Sequence, residues 1–302
     1  MRFVAIGNAN VDIKIFVERV PNPDESIDAL AASVSAGGAA SNFAIAAARI
    51  GVESHIIASL GNDDLGKIYL ETLGRCGVNT SNVKVVEGIR TGLVVILNVL
   101  GEDRRMIEST GANEELMPSD IIDRKDLMIS ADEVHMASVR PEIAESVLGI
   151  RKDASWDPGM RIIRKYRDRI WSLISKAGKV FLNEREAEAL AGESDPLTCI
   201  TKIAERGSNE VIVKMGSRGS LAWVEGETYR VSAIPVKVVD TTGAGDIFAA
   251  VYLKARRKGY SVEDCLKLAN AASAIKVSRP GTVGGMPNWD EIQTMSLMFY
   301  GK

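Results

Sequence analysis

The chain has 302 residues, of which 46% are hydrophobic and 25% charged, as in a soluble protein with one large α/β domain or two small ones. Its 37 basic and 40 acidic residues give a net charge of −3 and no basic tract, which disfavours nucleic-acid binding. No stretch reaches the roughly 18 apolar residues of a membrane span, and the three cysteines lack metal-ligand spacing. We therefore expect a cytoplasmic protein with reduced thiols and no membrane partner.

The first predicted strand, residues 3–7, is followed by the polar residues Asn8, Asn10 and Asp12. A dinucleotide-binding fold would have glycines here, so these side chains argue against that fold. Asn10 and Asp12 are two residues apart and face the same side of an extended chain. Polar groups in this place suit the recognition of hydroxyl groups, although an ordinary asparagine-rich turn has the same pattern.

Residues 12–35 alternate between apolar and polar side chains, which predicts an antiparallel hairpin outside the parallel core. Gly37 and Gly38 then open an alanine-rich helix that Gly51 closes. Small residues at a helix start allow close approach of a ligand, although such a glycine pair is mostly structural. Asn42 lies near the start of the same helix.

A predicted strand at residues 133–137 ends at Ser138, which faces the presumed substrate cleft. A second strand, residues 179–182, leads into Asn183 and Glu186, which lie three apart on one face of a starting helix. Mg²⁺ prefers oxygen ligands and keeps most of its waters, so such a pair can hold it through water. A helix-capping box has the same spacing, and the sequence leaves both readings open.

A strand at residues 210–214 ends in Lys214 and is followed by Gly216 and Gly219. Glycines in such a loop leave backbone N–H groups free beside a phosphate path. The Lys214 ammonium could pair with a phosphate as well.

The most informative stretch is DTTGAGDIF, residues 240–248. A β-branched run at residues 234–239 precedes it and a helical pattern at residues 247–257 follows, which together predict a strand, a polar turn and a helix start.

The turn combines an anion site with a carboxylate. The N–H groups of Gly243, Ala244 and Gly245 would point out of a helix N-terminus, which favours anions. Asp246 follows at once, and a carboxylate there is electrostatically unfavourable unless it has a chemical task. In phosphoryl transfer that task is to accept the proton of the attacking hydroxyl while the amides hold the phosphoryl group. The alternative is an ordinary capped helix with Asp in its first turn.

The DTTGAGDIF string closely resembles the C-terminal signature of the ribokinase-like, or PfkB, carbohydrate kinases, and the chain is closest in character to archaeal nucleoside and sugar kinases. The other motifs described above follow in the order found in that family. The resemblance covers residues 7–289. It implies a doubly wound, mostly parallel α/β sheet flanked by helices, with a small β-sheet lid, and the alternation of strands and helices independently predicts the doubly wound sheet.

The resemblance also implies roles for individual residues. The sugar hydroxyls would be held by Asn10, Asp12, Gly37, Gly38 and Asn42. The ATP site would comprise Asn183, Lys214, Gly216, Gly219, Asn270 and Ser273. Mg²⁺ would be held through water by Asn183 and Glu186, and K⁺ by Asp240 and Thr242 together with carbonyl groups of the loop at residues 279–287. Asp246 would be the base, with Gly243, Ala244 and Gly245 as the anion site.

Segments 13–36 and 90–108 correspond to the lid in this resemblance. The predicted core consists of residues 1–12, 37–89 and 109–302. Arg104 and Arg105 on the lid could reach an anionic substrate, although exposed arginines are more commonly only solvated. Because sheet edges invite pairing, we expect a homodimer through the lid strands.

The predicted activity is transfer of the ATP γ-phosphoryl group to a hydroxyl of a sugar or sugar-containing substrate. Ala39 stands where typical ribokinases have Lys, which weakens the case for free ribose. Two substrate classes stay open: a nucleoside, phosphorylated on the ribose 5′-hydroxyl, and a free sugar. A catalytically silent sugar- or nucleotide-binding protein on the same fold is the remaining alternative.

Overall fold

This computed structural model describes residues 1–102 and 105–301, so that Arg104 lies outside the described residues. The strands are, in chain order, β1 (Arg2–Gly7), β2 (Asn10–Val17), β3 (Ala31–Gly37), β4 (Glu53–Ile57), β5 (Ser59–Gly61), β6 (Val78–Asn79), β7 (Lys84–Val86), β8 (Gly92–Val99), β9 (Arg105–Ser109), β10 (Glu133–Ala137), β11 (Ser155–Asp157), β12 (Lys179–Asn183), β13 (Glu210–Lys214), β14 (Ser220–Val224) and β15 (Glu227–Val231). The α-helices are α1 (Ala39–Arg49), α2 (Asp64–Arg75), α3 (Pro118–Ile122), α4 (Lys125–Ser130), α5 (Pro141–Ile150), α6 (Met160–Leu173), α7 (Glu184–Ala191), α8 (Pro196–Ala204), α9 (Ala244–Arg257), α10 (Val262–Val277) and α11 (Trp289–Tyr300).

The large sheet has the strand order β15-β14-β13-β12-β11-β10-β1-β4-β6. Its strands are parallel from β13 to β6, and β14 and β15 are added antiparallel at one edge. Along β1, Phe3 and Ala5 enter one hydrophobic core while Val4 and Ile6 enter another. A strand buried on both faces needs helices on both sides, and α1, α9 and α10 cover one face while α5 to α8 cover the other. The predicted doubly wound fold is confirmed.

The parallel strands bring several candidate residues to one edge of the sheet. Asp157, Asn183 and Lys214 are the last residues of the neighbouring strands β11, β12 and β13. Ser138 directly follows β10, the next strand along. Ligands of open α/β sheets bind at this carboxyl edge, so the fold assembles a site from residues far apart in the sequence.

A separate small sheet has the order β3-β2-β8-β9. Strands β2 and β3 form the predicted antiparallel pair, whereas β2 runs parallel to β8. Asn10 opens β2 opposite Gly37 on one side and Gly92 on the other. The small sheet itself is therefore present, while the exact division of the chain into core and lid stays a prediction.

The expected strand at residues 234–239 is absent, and the run has no regular secondary structure and no strand partner. Pro235 has no N–H to give to a ladder, and Val238 and Val239 are 60% and 53% exposed. Val239 and Asp240 instead donate their N–H groups to the carbonyl of Val277 at the end of α10 (2.7 and 3.1 Å). β-Branched residues gave a strand-like pattern, but these residues pair with no strand of the sheet.

Candidate active site

Residues 240–246 form a tight turn into α9. Gly243 caps this helix with φ of 82°, in the left-handed region that glycine adopts without strain. A Cβ here would also lie 2.9 Å from Cε of Met286. Backbone conformation and packing both require glycine, so the turn is held in one shape.

The backbone N–H groups at the start of α9 differ in whether they already have an acceptor. The N–H of Ala244 donates to the carbonyl of Thr241 (3.3 Å) and is engaged within the turn. Within the described part of the chain, the N–H groups of Gly243 and Gly245 donate to no protein acceptor. The predicted anion site thus has two open amides, at the positive end of a helix dipole.

The side chain of Asp246 is held by Asn42, whose Nδ2 donates to Oδ2 of Asp246 (2.9 Å). Burial raises the pKa of Asp246 to about 7; the hydrogen bond from Asn42 opposes this rise, and the charge of Asp157 adds to it. A carboxyl with this pKa can accept a proton near neutral pH.

Asn42 also has an unsatisfied acceptor. The residue is 6% exposed, and its Oδ1 is buried without a hydrogen-bond partner. A buried polar atom without a partner costs about 1–3 kcal/mol, so one such atom beside Asp246 fits a site that a ligand hydroxyl completes.

A cluster of ionisable groups lies near Asp246. Lys214 donates to Oδ2 of Asp157 (2.6 Å), and both side chains are 14% exposed. Burial raises the pKa of Glu186 to about 7, with the charge of Asp157 adding to the rise. Burial alone would lower the pKa of Lys214, but Asp157 and Glu186 raise it. The cluster thus holds three carboxyl groups around one ammonium.

Asn183 and Glu186 form a capping box at the start of α7. Oδ1 of Asn183 accepts from the N–H of Glu186 (3.0 Å), and Oε2 of Glu186 accepts from the N–H of Asn183 (2.7 Å). The structural alternative is therefore present. It does not oppose a water-mediated contact with Mg²⁺, because the box fixes both side chains at the edge of the ionisable cluster.

The predicted sugar-binding residues meet at the junction of β2, β3 and α1. Asp12 is 5% exposed, and a Cβ on Gly37 would lie 2.1 Å from its Oδ1, so glycine makes room for the carboxylate. Gly38 caps α1 with φ of 93°. Oδ1 of Asn10 accepts from Nδ2 of Asn113 (2.6 Å). Since Asn42 of α1 also holds Asp246, the predicted sugar-binding residues lie next to the turn at residues 240–246, which we call the anion turn.

The other two predicted substrate residues differ in position. Ser138 has φ of 55° and donates its N–H to the carbonyl of Asp157 (2.8 Å), which places it beside the ionisable cluster. Arg105 is exposed and pairs with Glu102 (2.6 Å). It lies opposite Leu97 on β8. Leu97 is five residues, or roughly 17 Å at the usual rise of a strand, from Gly92, which pairs with Asn10. The structure does not bring Arg105 together with the other candidates.

The residues predicted to bind ATP line one cavity of about 820 Å³. They are Asn183, Lys214, Gly216, Gly219, Asn270 and Ser273. Ala244 and Gly245 line the same cavity, as do most residues of the segment 233–238 that follows β15. Two of these residues also connect the elements around the cavity. Asn270 of α10 donates to the carbonyl of Val231 in β15 (3.3 Å), and Ser273 of α10 donates to the carbonyl of Ala244 in α9 (3.0 Å).

A profile described as pfkB family carbohydrate kinase matches residues 2–289. The chain belongs to this family. The predicted family and the predicted class of enzyme, a kinase acting on an alcohol group, are therefore confirmed.

Relatives of this pfkB chain include kinases for several sugars. It is 30% identical over 286 residues to the ATP-dependent ribose-1-phosphate kinase of Halopiger xanaduensis, covering 93% of each chain. It is 27% identical over 300 residues to the nucleoside kinase of Methanocaldococcus jannaschii, covering 96% and 95%. The structure of Arabidopsis thaliana ribokinase complexed with ribose and ATP superposes with a TM-score of 0.85 at 30% identity, covering 97% and 98%.

The region implied to bind K⁺ in this pfkB chain contains lysines. Nζ of Lys14 lies 3.2 Å from Oδ2 of Asp240 and 3.0 Å from Oγ1 of Thr282. Nζ of Lys276 lies 3.1 Å from the carbonyl oxygen of Asp240. Thr242 donates its N–H to Oδ1 of Asp240 (2.9 Å). The residues present do not fit a potassium ion, because ammonium groups already hold the oxygens of Asp240.

Sequence reasoning missed residues that act through others. Asn113 positions Asn10, and Lys14 and Lys276 bind Asp240. Asp157 is different, because the sequence marks it as a polar residue at a strand end; the structure pairs it with Lys214. The lysines had none, because a buried ammonium looks like any surface lysine in a sequence.

Proposed function

We propose that this pfkB kinase transfers the γ-phosphoryl group of ATP to a hydroxyl of a pentose-type sugar, with Asp246 as the general base. The observation that carries the proposal is the position of Asp246. It belongs to the helix start that lines the nucleotide cavity, and its carboxylate is bound by Asn42 from the sugar side.

ATP would occupy the 820 Å³ cavity, with its phosphates toward the start of α9. The open N–H groups of Gly243 and Gly245 would stabilise the negative charge that develops on the transferred group. A Cβ on Gly245 would lie 3.1 Å from Nζ of Lys214, so that this ammonium lies beside the same turn. Fixed donors of this kind need no rearrangement during the reaction.

The acceptor hydroxyl would lie between Asp246 and Asn42. Asp246 would take its proton as the oxygen attacks, and a base with a pKa of about 7 is well matched to this task. Oδ1 of Asn42 would accept a hydrogen bond from another sugar hydroxyl, which removes its unsatisfied state. Asn10 and Asp12 would hold further hydroxyls.

Mg²⁺ fits the ionisable cluster. Asp157, Glu186 and Asp246 outnumber the single ammonium of Lys214, and the excess of negative charge favours a cation. Within the described residues, no group of three or more His, Cys, Asp or Glu side chains forms a direct metal cage, in keeping with a cation held through water and phosphates. When bound, Mg²⁺ would neutralise charge on the ATP phosphates. Glu186 and Asn183 are the residues we expect to hold it.

Replacing Asp246 tests the proposal. We expect Asp246→Asn to lower kcat by ~10²–10⁴, the usual contribution of a general base, while sugar binding measured by calorimetry is kept. Asp264→Asn is the matched control, since Asp264 is a carboxylate in the first turn of α10 whose side chain is 45% exposed. Near wild-type turnover of Asp246→Asn would remove the base from the mechanism.

The acceptor is identified by a substrate panel. Ribose, ribose 1-phosphate, deoxyribose, nucleosides, ketoses and aldonate-type sugars should be compared by ATP consumption. Phosphorylation of a pentose or its phosphate supports the proposal, whereas a preference for nucleosides supports the second candidate, which the similarity to an archaeal nucleoside kinase favours. Binding without turnover across the panel would indicate the silent binding protein.

We also infer a cytoplasmic homodimer that pairs through the small sheet. Apolar side chains on this sheet are exposed, among them Val34 (53%), Met106 (51%) and Ile107 (74%). Such a surface on edge strands favours association. Light scattering should give twice the chain mass of 32.5 kDa, and a monomeric mass would contradict the inference. In the described part of the chain, no helix is long and apolar enough to cross a bilayer.

A further inference from the structure

Two buried lysines converge on Asp240, the first residue of the anion turn. Lys14 comes from β2 in the small sheet and is 5% exposed, and Lys276 comes from α10 and is 0% exposed. Lys14 donates to Oδ2 of Asp240 and to Oγ1 of Thr282, whereas Lys276 donates to the carbonyl of Asp240. Burying an ammonium is costly without such partners, so both contacts are specific features of the fold.

The packing around the lysines is built to fit them. Gly285 is buried, and a Cβ there would lie 3.2 Å from Cδ and Cε of Lys276. Thr282, which binds Lys14, is 3% exposed, and its methyl group would lie 3.2 Å from a Cβ on Gly243. The loop after α10 therefore connects Lys14 to the glycine that shapes the anion turn.

The charges at this place leave no role for an added cation. One carboxylate, Asp240, lies between two ammonium groups. Its Oδ1 accepts from Thr242, its Oδ2 from Lys14 and its carbonyl from Lys276. A monovalent metal ion would meet like charge and oxygens that are already engaged.

We propose that Lys14 and Lys276 take the place of the monovalent cation at this turn, so that the kinase needs no potassium. An ammonium is a compact unit charge with three donors and can gather the oxygens that a potassium ion would gather. Both lysines are positioning residues. Lys14 in addition ties the strand of Asn10 and Asp12 to the turn that leads to Asp246. This inference rests on the proposed function of that turn.

Nucleotide binding tests the idea independently of the sugar. The Kd of the full chain for a non-hydrolysable ATP analogue with Mg²⁺ is measured by calorimetry in potassium chloride and in tetramethylammonium chloride, whose cation is too large for the site. For the wild type we expect the same Kd within about twofold, since the charge is already supplied. Saturable tightening by potassium would overturn the proposal.

A pair of variants separates charge from packing. Lys14→Ala removes the ammonium and leaves space, whereas Lys14→Met removes it and fills the space. Both should weaken analogue binding by roughly 10- to 100-fold, the usual range for a hydrogen bond to a charged group. Potassium or ammonium ions should restore binding to Lys14→Ala and not to Lys14→Met. If neither potassium nor ammonium ions restore analogue binding to either variant, Lys14 has a merely structural role and the proposal is overturned.

Lys179→Ala is the control, because Lys179 forms an ion pair with Glu133 at the opposite end of the strands. It should bind the analogue like the wild type in both salts. If Lys14→Ala does not fold, the wild-type comparison of the two salts decides by itself. If no sugar on the panel is phosphorylated, the proposed function fails while the binding measurements still test the lysines.

Discussion

The two sides of the anion turn have opposite charge balances. On the proposed substrate side, Asp157, Glu186 and Asp246 surround the single ammonium of Lys214. On the far side, Lys14 and Lys276 surround the single carboxylate of Asp240. The same turn thus separates an acidic cluster from a basic one.

The difference supports the proposal that ligands bind on the side of Asp246. Hydrogen bonds from Thr242 and the charges of both lysines lower the pKa of Asp240, although burial alone would raise it. On the substrate side, burial and mutual repulsion raise the pKa of two carboxyl groups to about 7. The far side is satisfied by the protein itself, whereas the proposed substrate side has an excess of carboxyl groups that a bound Mg²⁺ would offset.

The largest effect on stability is expected from replacing Lys214, the single ammonium among the three carboxyl groups. Lys214→Met leaves Asp157 buried without its partner, so the free energy of unfolding should fall by about 3 kcal/mol or more, as for other broken buried pairs. Urea denaturation at pH 8 measures it. Lys179→Met is the control and should cost less, because Glu133 keeps its pair with Arg257 (2.7 Å).

A second change distinguishes charge from packing at the same position. Adding Asp157→Asn to Lys214→Met should recover part of the lost stability, since the unpaired carboxylate is then gone. If the double variant is as unstable as the single one, the loss comes from packing of the lysine stem, and the acidic character of this side matters less.

A smaller effect concerns pH. The pKa of Asp246 is about 7 in the folded protein against 3.8 for an ordinary Asp, so between these values the folded state keeps a proton that the unfolded state releases. Its contribution to stability is therefore lost as the pH rises toward 7. Asp246→Asn should melt above the wild type by at least about 2 °C at pH 8 and by less at pH 5.

The pH dependence of catalysis should report the same ionisation of Asp246, because deprotonation lowers stability but is needed for activity. Because Asp246, the proposed base, must be deprotonated to act, kcat/KM of the wild type should fall as the pH drops below about 7. Asp240 has a lowered pKa and stays charged over this range. A flat rate profile between pH 5 and 8, or equal melting shifts at both pH values, would break the contrast between the two sides of the turn.

The sequence by itself determined the family, the doubly wound sheet and the residues of the anion turn. Glycines at fixed spacing beside Asp246, and polar residues after β-rich runs, are local signals, because turn geometry and strand ends depend on neighbouring residues. For the same reason the β-branched run at residues 234–239 misled, since local propensity does not reveal whether a segment will pair with a neighbouring strand.

Only the tertiary structure decided what each polar group faces. It placed Lys14, 226 residues before Asp240 in the chain, against that carboxylate, and it set Arg105 apart from the site. Such pairings depend on how distant strands and helices cross, and a charged side chain carries no mark in the sequence of being buried. Burial in turn sets the pKa of Asp246 and the need of Asn42 for a partner, so the chemistry of the site follows from packing.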